Sequence, residues 1–237
     1  MFTKPTELLK YVVSSVARSD DDIVLDFFAG SCTTSQAVLE LNREDGGNRR
    51  FIMVQLPEST GNKQFPTIAE IGKERIRRVV ARMNKEREGQ LPLDTRSSPE
   101  DLGFKVFKLA PSNYRQWDVA AIHELPQQSP AAFAHQAELF ADPLVEGWQP
   151  ENVLYEVALK EGYGLNVAVE PTAVKGVQRV ADPDKGQSFY LSLAGKIALE
   201  DLRPLDLKKD DLFICRDAAL DDEAAANLAL QCRLKTI

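Results

Sequence analysis

The sequence predicts an α/β fold in the first half of the chain, followed by a smaller α+β domain. In the first half, the short apolar run Ile23 to Leu25 ends in Asp26 and then passes through a tight turn into a helical pattern. A second apolar segment at 50–56 follows that helix, and strand, turn, helix and strand in succession are typical of an α/β fold. Beyond residue 118 the composition changes, so the predicted domains are 1–118 and 119–237.

The first predicted helix runs from Pro5 to about Arg18. Proline fits the first turn of a helix, and Thr3 is placed to cap it. The aspartates at 20–22 form a polar turn between this helix and the first strand. The apolar residues of the helix recur at helical spacing and are expected to form one face: Leu8, Leu9, Val12, Val13 and Val16.

The turn after the first strand has the small residues of a ligand-binding turn. Gly30 and Ser31 let the backbone pass close to a ligand. Thr33 and Thr34 are predicted to cap the next helix, which ends at the glycine pair 46–47 because glycine commonly ends helices. The positive end of this helix is expected to face the mouth of the turn.

A long amphipathic helix is predicted at 66–87, with basic side chains on its wet side. Arg75, Arg78 and Arg82 fit either a contact with DNA or an ordinary solvated face balanced by neighbouring glutamates. After a proline-containing loop, the alternating pattern of 104–109 predicts a half-buried strand.

The second domain is predicted from short segments of strand and helix pattern. Asp142-Pro143 and Asp182-Pro183 are expected to be turns. The predicted elements are a helix at 151–161, strands at 165–170, 187–193 and 211–215, and a last helix at 222–233.

Composition limits the function. The formal net charge is −7, which argues against a free-standing nucleic-acid-binding domain, since such domains are usually basic on one face. With no apolar run of about 20 residues and no signal peptide, a cytoplasmic location without membrane contact is expected. Cys32, Cys215 and Cys232 are far apart and predict neither a disulfide framework nor a metal site. His123 and His135 are interpreted as structural or surface residues.

Three segments resemble one family of enzymes. Asp26 with Phe28-Ala29-Gly30-Ser31-Cys32 is similar to the F-x-G-x-G signature of S-adenosylmethionine-binding methyltransferases, in the form seen in DNA amino-methyltransferases. Lys4-Pro5-Thr6-Glu7-Leu8-Leu9 resembles the short segment that precedes this signature in the permuted group. Asn48 to Glu58 resembles the second strand in modification subunits of type III restriction-modification systems, and Asn113 to Trp117 resembles a segment further along the same subunits.

The resemblance implies a partial Rossmann-like methyltransferase domain that binds S-adenosylmethionine. Cys32 stands where the signature has its second glycine, and its thiol either has a lowered pKa at a helix start or is a plain buried small residue. Gln55 stands where many methyltransferases carry an acid that accepts from the ribose hydroxyls. The residues expected to bind the cofactor are Lys4, Pro5, Thr6, Asp26, Phe28, Ala29, Gly30, Ser31, Cys32, Thr33 and Gln55.

The catalytic motif of the family, D/N/S-P-P followed by an aromatic residue, does not occur in this sequence, so no catalytic residue is assigned. In the permuted group that motif and the target-recognition region precede the Lys-Pro segment. The resemblance therefore implies the carboxy-terminal part of an adenine methyltransferase that is inactive alone and reaches DNA through the absent amino-terminal region. It also implies a homodimer and a possible restriction subunit as partner. The alternative is a non-catalytic interaction or dimerisation module on a methyltransferase scaffold.

Overall fold

A computed structural model describes residues 4–19, 21–88, 100–115 and 142–237. The chain is a mixed α/β protein, as predicted, and it divides into two compact units, Met1–Phe107 and Lys108–Ile237. The predicted boundary after residue 118 lies outside the described residues and stays a prediction. The same holds for the expected roles of Thr3, His123 and His135.

In its described residues, the first unit contains a two-stranded parallel sheet and three helices. Strand β1 (Ile23–Asp26) pairs in parallel with β2 (Arg50–Met53), with Ile23 opposite Arg50 and Asp26 opposite Met53. Its elements are α1 (Thr6–Val16), β1 (Ile23–Asp26), α2 (Thr33–Asp45), β2 (Arg50–Met53) and α3 (Ile68–Glu88).

Helix α2 is the centre of this unit. Its residues Ala37 and Val38 are fully buried, and it ends at Gly46, whose φ of 79° is the left-handed conformation that ends many helices. The predicted glycine stop is therefore confirmed. One face of the sheet packs against the helices through Val24 and Phe51.

The opposite face of the sheet is open. Leu25 and Ile52 are paired across the two strands, and their side chains are 57% and 50% exposed. Ile23 on the same face is also exposed. Parallel sheets are normally covered on both faces, so this apolar surface is unusual for the strand type.

Most of the apolar face predicted for α1 is exposed to solvent. Only Val13 is buried, against Val38 and Leu41 of α2. A helix that touches one neighbour buries a narrow stripe, and the apolar arc of α1 is wider than that stripe. The exposed members of the arc are Leu8, Val12 and Val16, together with the neighbouring Tyr11.

The predicted strand at 104–109 is also wrong, since these residues form neither helix nor strand. Phe104 packs against the core beside α3, whereas Val106 and Leu109 are exposed. An alternating pattern forms a strand only where another strand pairs with its backbone groups, and in the described part of the chain no strand pairs with this segment.

The second unit is built on a five-stranded mixed sheet with the order β3-β4-β5-β6-β7. Strands β3, β4 and β5 are antiparallel, whereas β5, β6 and β7 are parallel. The elements are α4 (Pro150–Lys160), β3 (Ala168–Pro171), β4 (Val177–Asp182), β5 (Gln187–Ser192), α5 (Leu199–Leu202), β6 (Leu212–Cys215), α6 (Asp222–Gln231) and β7 (Arg233–Thr236).

Both faces of this sheet are covered. Phe189 and Ile214 belong to a core shared with α4, and Phe213 and Cys215 belong to a core shared with Leu228 of α6. The predicted turns at Asp142 and Asp182 are present, with each carboxylate accepting from a backbone N–H two residues further on. The second unit therefore has a complete core of its own.

Because it contains buried thiols, we expect the second unit to lose stability at alkaline pH. Burial raises the pKa of Cys215 to about 12 and also raises the pKa of Cys232. Because an unfolded thiol has a pKa of about 8.5, the protonated thiols stabilise the fold fully below that pH, and this contribution is lost as pH rises towards 12.

We expect the free energy of unfolding, measured with urea and tryptophan fluorescence, to fall from pH 8 to pH 10.5 by up to about 1.4 kcal/mol per pH unit for each such thiol. The variant Cys215→Ala should show a shallower fall. Equal slopes for the two proteins would contradict this assignment.

Candidate functional site

The candidate site lies where the two parallel strands of the first unit end. Strand β1 ends at Asp26, strand β2 ends at Met53, and residues 27–32 form the turn into α2. In open α/β sheets, ligands bind outside the carboxyl ends of the strands, close to helix amino-termini. This edge is therefore the place in the first unit where a ligand is expected.

The Asp26 carboxylate joins the end of β1 to the start of α2. Its Oδ1 accepts from the backbone N–H of Phe28 at 3.1 Å, and its Oδ2 accepts from the Thr34 hydroxyl at 2.6 Å. Both oxygens therefore hold the turn in shape.

The prediction that Thr33 and Thr34 cap α2 is wrong. The residue at the cap position is Cys32, which makes no side-chain capping bond. The hydroxyl of Thr34 is engaged by Asp26, and that of Thr33 lies 3.5 Å from the Ser31 hydroxyl. The threonines support the turn from inside the fold, where both are buried.

The end of β2 holds the other side of the turn. The Val54 carbonyl accepts from the N–H of Ala29 at 3.1 Å, and the Gln55 Oε1 accepts from the N–H of Gly30 at 2.7 Å. The Gln55 Nε2 donates to the Leu56 carbonyl at 3.2 Å. Gln55 is therefore part of the turn itself, a role that the resemblance did not indicate.

Two residues of the turn have left-handed backbone conformations. Gly30 has a φ of 55° and Cys32 has a φ of 56°. Glycine adopts this conformation at no steric cost, whereas cysteine does so only where neighbouring groups hold it. The absence of the second signature glycine thus leaves the backbone shape of the turn in place.

Of the two interpretations of Cys32, the buried small residue is correct. Its side chain is 6% exposed. Burial is the main cause of a raised pKa of the thiol, and the Asp26 carboxylate adds to the rise, whereas the Arg75 guanidinium opposes it. The interpretation with a lowered pKa is wrong because the thiol points into the apolar core beside Ile76 and Val79 instead of solvent.

Solvent reaches the outer part of the turn. Phe28 is 77% exposed, and its ring lies 5.1 Å from that of the exposed Phe27, measured between centroids. Gly30 is partly exposed, whereas Ala29 and Ser31 are buried. A ligand at this edge would meet an aromatic side chain and the glycine backbone.

Lys4, Pro5 and Thr6 lie at the start of α1. Lys4 and Pro5 are exposed, and Thr6 is partly buried. In the described residues, none of their side chains makes a hydrogen bond to the turn at 27–32. The structure thus joins Asp26, Gln55 and the turn through hydrogen bonds, whereas the expected contribution of the Lys-Pro segment stays a prediction.

The basic stripe of α3 is engaged within the first unit. Arg78 pairs with Glu74 of the same helix, and Arg82 pairs with Glu40 of α2. Arg75 donates to the side chains of Gln36 and Ser31. These contacts favour the ordinary helix-face interpretation over a contact with DNA.

In the ranges that the structure describes, no group of three or more His, Cys, Asp or Glu residues is arranged to hold a metal ion. Within the same ranges, every helix is too short or too polar to cross a membrane.

Comparison with known proteins gives one family. Residues 2–79, which contain the whole strand, turn and helix of the candidate site, match the DNA methylase family. This segment is therefore similar to DNA methylases, in agreement with the resemblance of the turn.

The relatives are modification subunits of type III restriction-modification enzymes, which confirms the predicted relationship. The StyLTI Mod subunit of Salmonella typhimurium is 41% identical over 113 residues, covering 45% of this chain and 16% of the relative. The EcoPI Mod subunit of Escherichia phage P1 is 35% identical over 109 residues, covering 44% of this chain and 15% of the relative. The EcoP15I Mod subunit of Escherichia coli is 37% identical over 103 residues, covering 41% of this chain and 14% of the relative. The matched part thus spans about one sixth of these relatives.

Proposed function

We propose, from this relationship to DNA methylases and type III modification subunits, that the chain is the S-adenosylmethionine-binding, carboxy-terminal part of a site-specific DNA adenine methyltransferase. The observation that carries the proposal is the closed turn at the strand ends. Asp26 ties it to α2, and Gln55 ties it to β2.

The proposed cofactor site uses the exposed side of that turn. Bound S-adenosylmethionine would supply the methyl group. Phe28 and the backbone of Gly30 would contact it, and Asp26 and Gln55 would keep the turn in its binding shape. The buried residues Ala29, Ser31, Cys32 and Thr33 would support that shape from below, with Lys4, Pro5 and Thr6 near the methionine end. This arrangement corresponds to a partial Rossmann-like methyltransferase domain.

The role of Gln55 follows from its bonds. Its oxygen accepts from Gly30, and its nitrogen donates to Leu56. A neutral amide has both an oxygen that accepts and an N–H that donates, whereas a carboxylate would lack the N–H that reaches the Leu56 carbonyl. We therefore assign Gln55 mainly to holding the turn in shape and, in addition, to a contact with the ribose of the cofactor.

We expect the chain to bind S-adenosylmethionine weakly, with a Kd up to about 1 mM, the affinity of a binding free energy near 4 kcal/mol. Isothermal titration calorimetry measures it, with ATP as a control that shares the adenosine but lacks the methionine. No heat with S-adenosylmethionine at millimolar concentration, or equal heat with ATP, would contradict the proposal.

DNA would be contacted mainly by another polypeptide region. The net charge of −7 gives this chain little electrostatic attraction for phosphates, and Arg75, Arg78 and Arg82 of α3 already have partners. In the proposed assembly, which acts in the cytoplasm, the complementary region supplies the catalytic motif and target recognition. A homodimer with an added restriction subunit is the corresponding quaternary arrangement.

A second candidate function is a non-catalytic interaction module. It is favoured by the second unit, whose sheet has a hydrophobic core on each face. In the same unit, the buried Asp182 carboxylate accepts hydrogen bonds from the backbone N–H groups of Gly164 and Asp184. In its described part, this unit has no group of three or more His, Cys, Asp or Glu residues arranged to hold a metal ion.

If residues from about 120 onward mediate self-association, light scattering of the full chain should give the mass of a dimer, twice 26.4 kDa. A chain without residues 1–107 should keep that behaviour, since the second unit has its own core. A monomer mass for the full chain at high concentration would count against self-association, and a dimer without cofactor binding would favour the interaction module.

A further inference from the structure

Helix α3 meets the candidate turn from the side away from solvent, through Gly72. A Cβ atom built on Gly72 would lie 2.5 Å from the Cys32 Sγ and 3.5 Å from the Gly30 carbonyl oxygen. The first distance is too short for two non-bonded atoms, whereas the second is an ordinary contact. The Cys32 thiol therefore occupies the space that a side chain at position 72 would need.

This contact explains how a cysteine is held in the left-handed conformation. A residue with a Cβ atom is strained at a φ of 56°, and it remains there only when surrounding contacts fix it. The thiol of Cys32 is buried among apolar residues of α3, and its backbone N–H donates to the Ala29 carbonyl at 2.8 Å. The glycine missing from the turn is thus matched by a glycine on the facing helix.

Arg75, one helical turn after Gly72, makes a second contact with the same region. Its Nη1 donates to the Gln36 Oε1 at 2.9 Å, and its Nη2 lies 3.4 Å from the Ser31 Oγ. Ser31 belongs to the turn and Gln36 to α2. The guanidinium therefore bridges the turn and the helix that follows it.

We propose that Gly72 and Arg75 are positioning residues for the cofactor-binding turn. Gly72 receives the Cys32 side chain, Arg75 joins Ser31 to Gln36, and together they hold the two left-handed residues in the shape that presents Gly30 and Phe28. The proposal rests on the proposed function for its cofactor readout, while its structural readouts need no cofactor.

A double-mutant cycle tests the Gly72 contact. Gly72→Ala should lower the urea midpoint of the first unit and weaken S-adenosylmethionine binding by about tenfold, because its methyl group displaces the thiol. In the Cys32→Gly background the same change should have little effect, since the obstructing sulfur is gone. Additive effects of the two changes would overturn the role of Gly72.

Thiol labelling tests Arg75. Arg75→Ala should speed alkylation of Cys32 by about tenfold, as measured by peptide mass spectrometry. The reason is that local opening controls how fast the reagent reaches a buried thiol. Cys215 and Cys232 are buried in the second unit and serve as internal controls. The matched variant is Arg78→Ala, which removes an exposed arginine of the same helix that pairs with Glu74.

The two proposals fail in different ways. If the unaltered chain binds no S-adenosylmethionine, the proposed function fails, and the urea cycle and the labelling rates still decide the positioning role. If the chain binds it, Arg75→Ala should raise the Kd and Arg75→Lys should restore part of the affinity, whereas Arg78→Ala should leave it unchanged. An unchanged labelling rate for Cys32, or equal increases for all three cysteines, would overturn the role of Arg75.

Discussion

The chain alone is expected to transfer no labelled methyl group from S-adenosylmethionine to DNA. Methyl transfer to an adenine requires the base to be flipped from the duplex and its amine to be held in line with the methyl donor. Such positioning supplies about 7 to 11 kcal/mol of barrier reduction in favourable cases. No two prolines are adjacent anywhere in the sequence, so the D/N/S-P-P pocket for the base is absent.

The assay compares the chain alone, a polypeptide carrying the catalytic motif and target-recognition region alone, and the two together. Only the mixture should give labelled DNA, if the two parts come from one active enzyme. The mixture made with Asp26→Ala is the control for dependence on the cofactor turn. Robust transfer by the chain alone would overturn the assignment as a part of an enzyme.

Replacement of Asp26 by alanine should have the largest effect of any single substitution in the turn. It removes the acceptor of the Phe28 N–H and of the Thr34 hydroxyl. An unsatisfied buried polar group costs about 1 to 3 kcal/mol, and Thr34 is buried. We therefore expect the first unit to lose stability by about that amount and S-adenosylmethionine binding to weaken by about 10- to 100-fold.

Two other variants separate charge from geometry. Asp26→Asn keeps an acceptor for the Phe28 N–H and should retain most of the stability. Asp22→Ala changes a carboxylate at the opposite end of β1, where it accepts from the Ser19 N–H, and should leave the cofactor affinity unaltered. Circular dichroism in urea and calorimetry measure the two effects. Equal cofactor affinity in Asp26→Ala and the unaltered chain would contradict the role of Asp26.

The parts of the site that the sequence predicts are those encoded locally. The strand ending at Asp26, the turn with Gly30 and the helix stop at Gly46 follow from neighbouring residues, and the structure contains all three. The resemblance drew attention to Gln55 but could not show that its oxygen accepts from Gly30, because that bond joins residues 25 positions apart.

The parts that the sequence does not predict depend on distant contacts. Gly72 and Arg75 sit within an ordinary helical pattern, and only the position of α3 brings them to the turn. The sequence does not predict β4, because Gln178 and Arg179 interrupt its apolar pattern, nor β7, because Arg233 and Lys235 are two of its four residues. Their strand state comes from pairing with neighbours in the sheet.

The open face of the sheet in the first unit is apolar area that folding of this unit leaves exposed. Leu25, Ile52 and the exposed arc of α1 gain little from folding, so their burial free energy remains available for association. A covering polypeptide that binds only the folded unit stabilises it by RT ln(1 + [L]/Kd), about 2.7 kcal/mol at 100 times its Kd. The melting temperature of the first unit would then rise with the concentration of such a polypeptide.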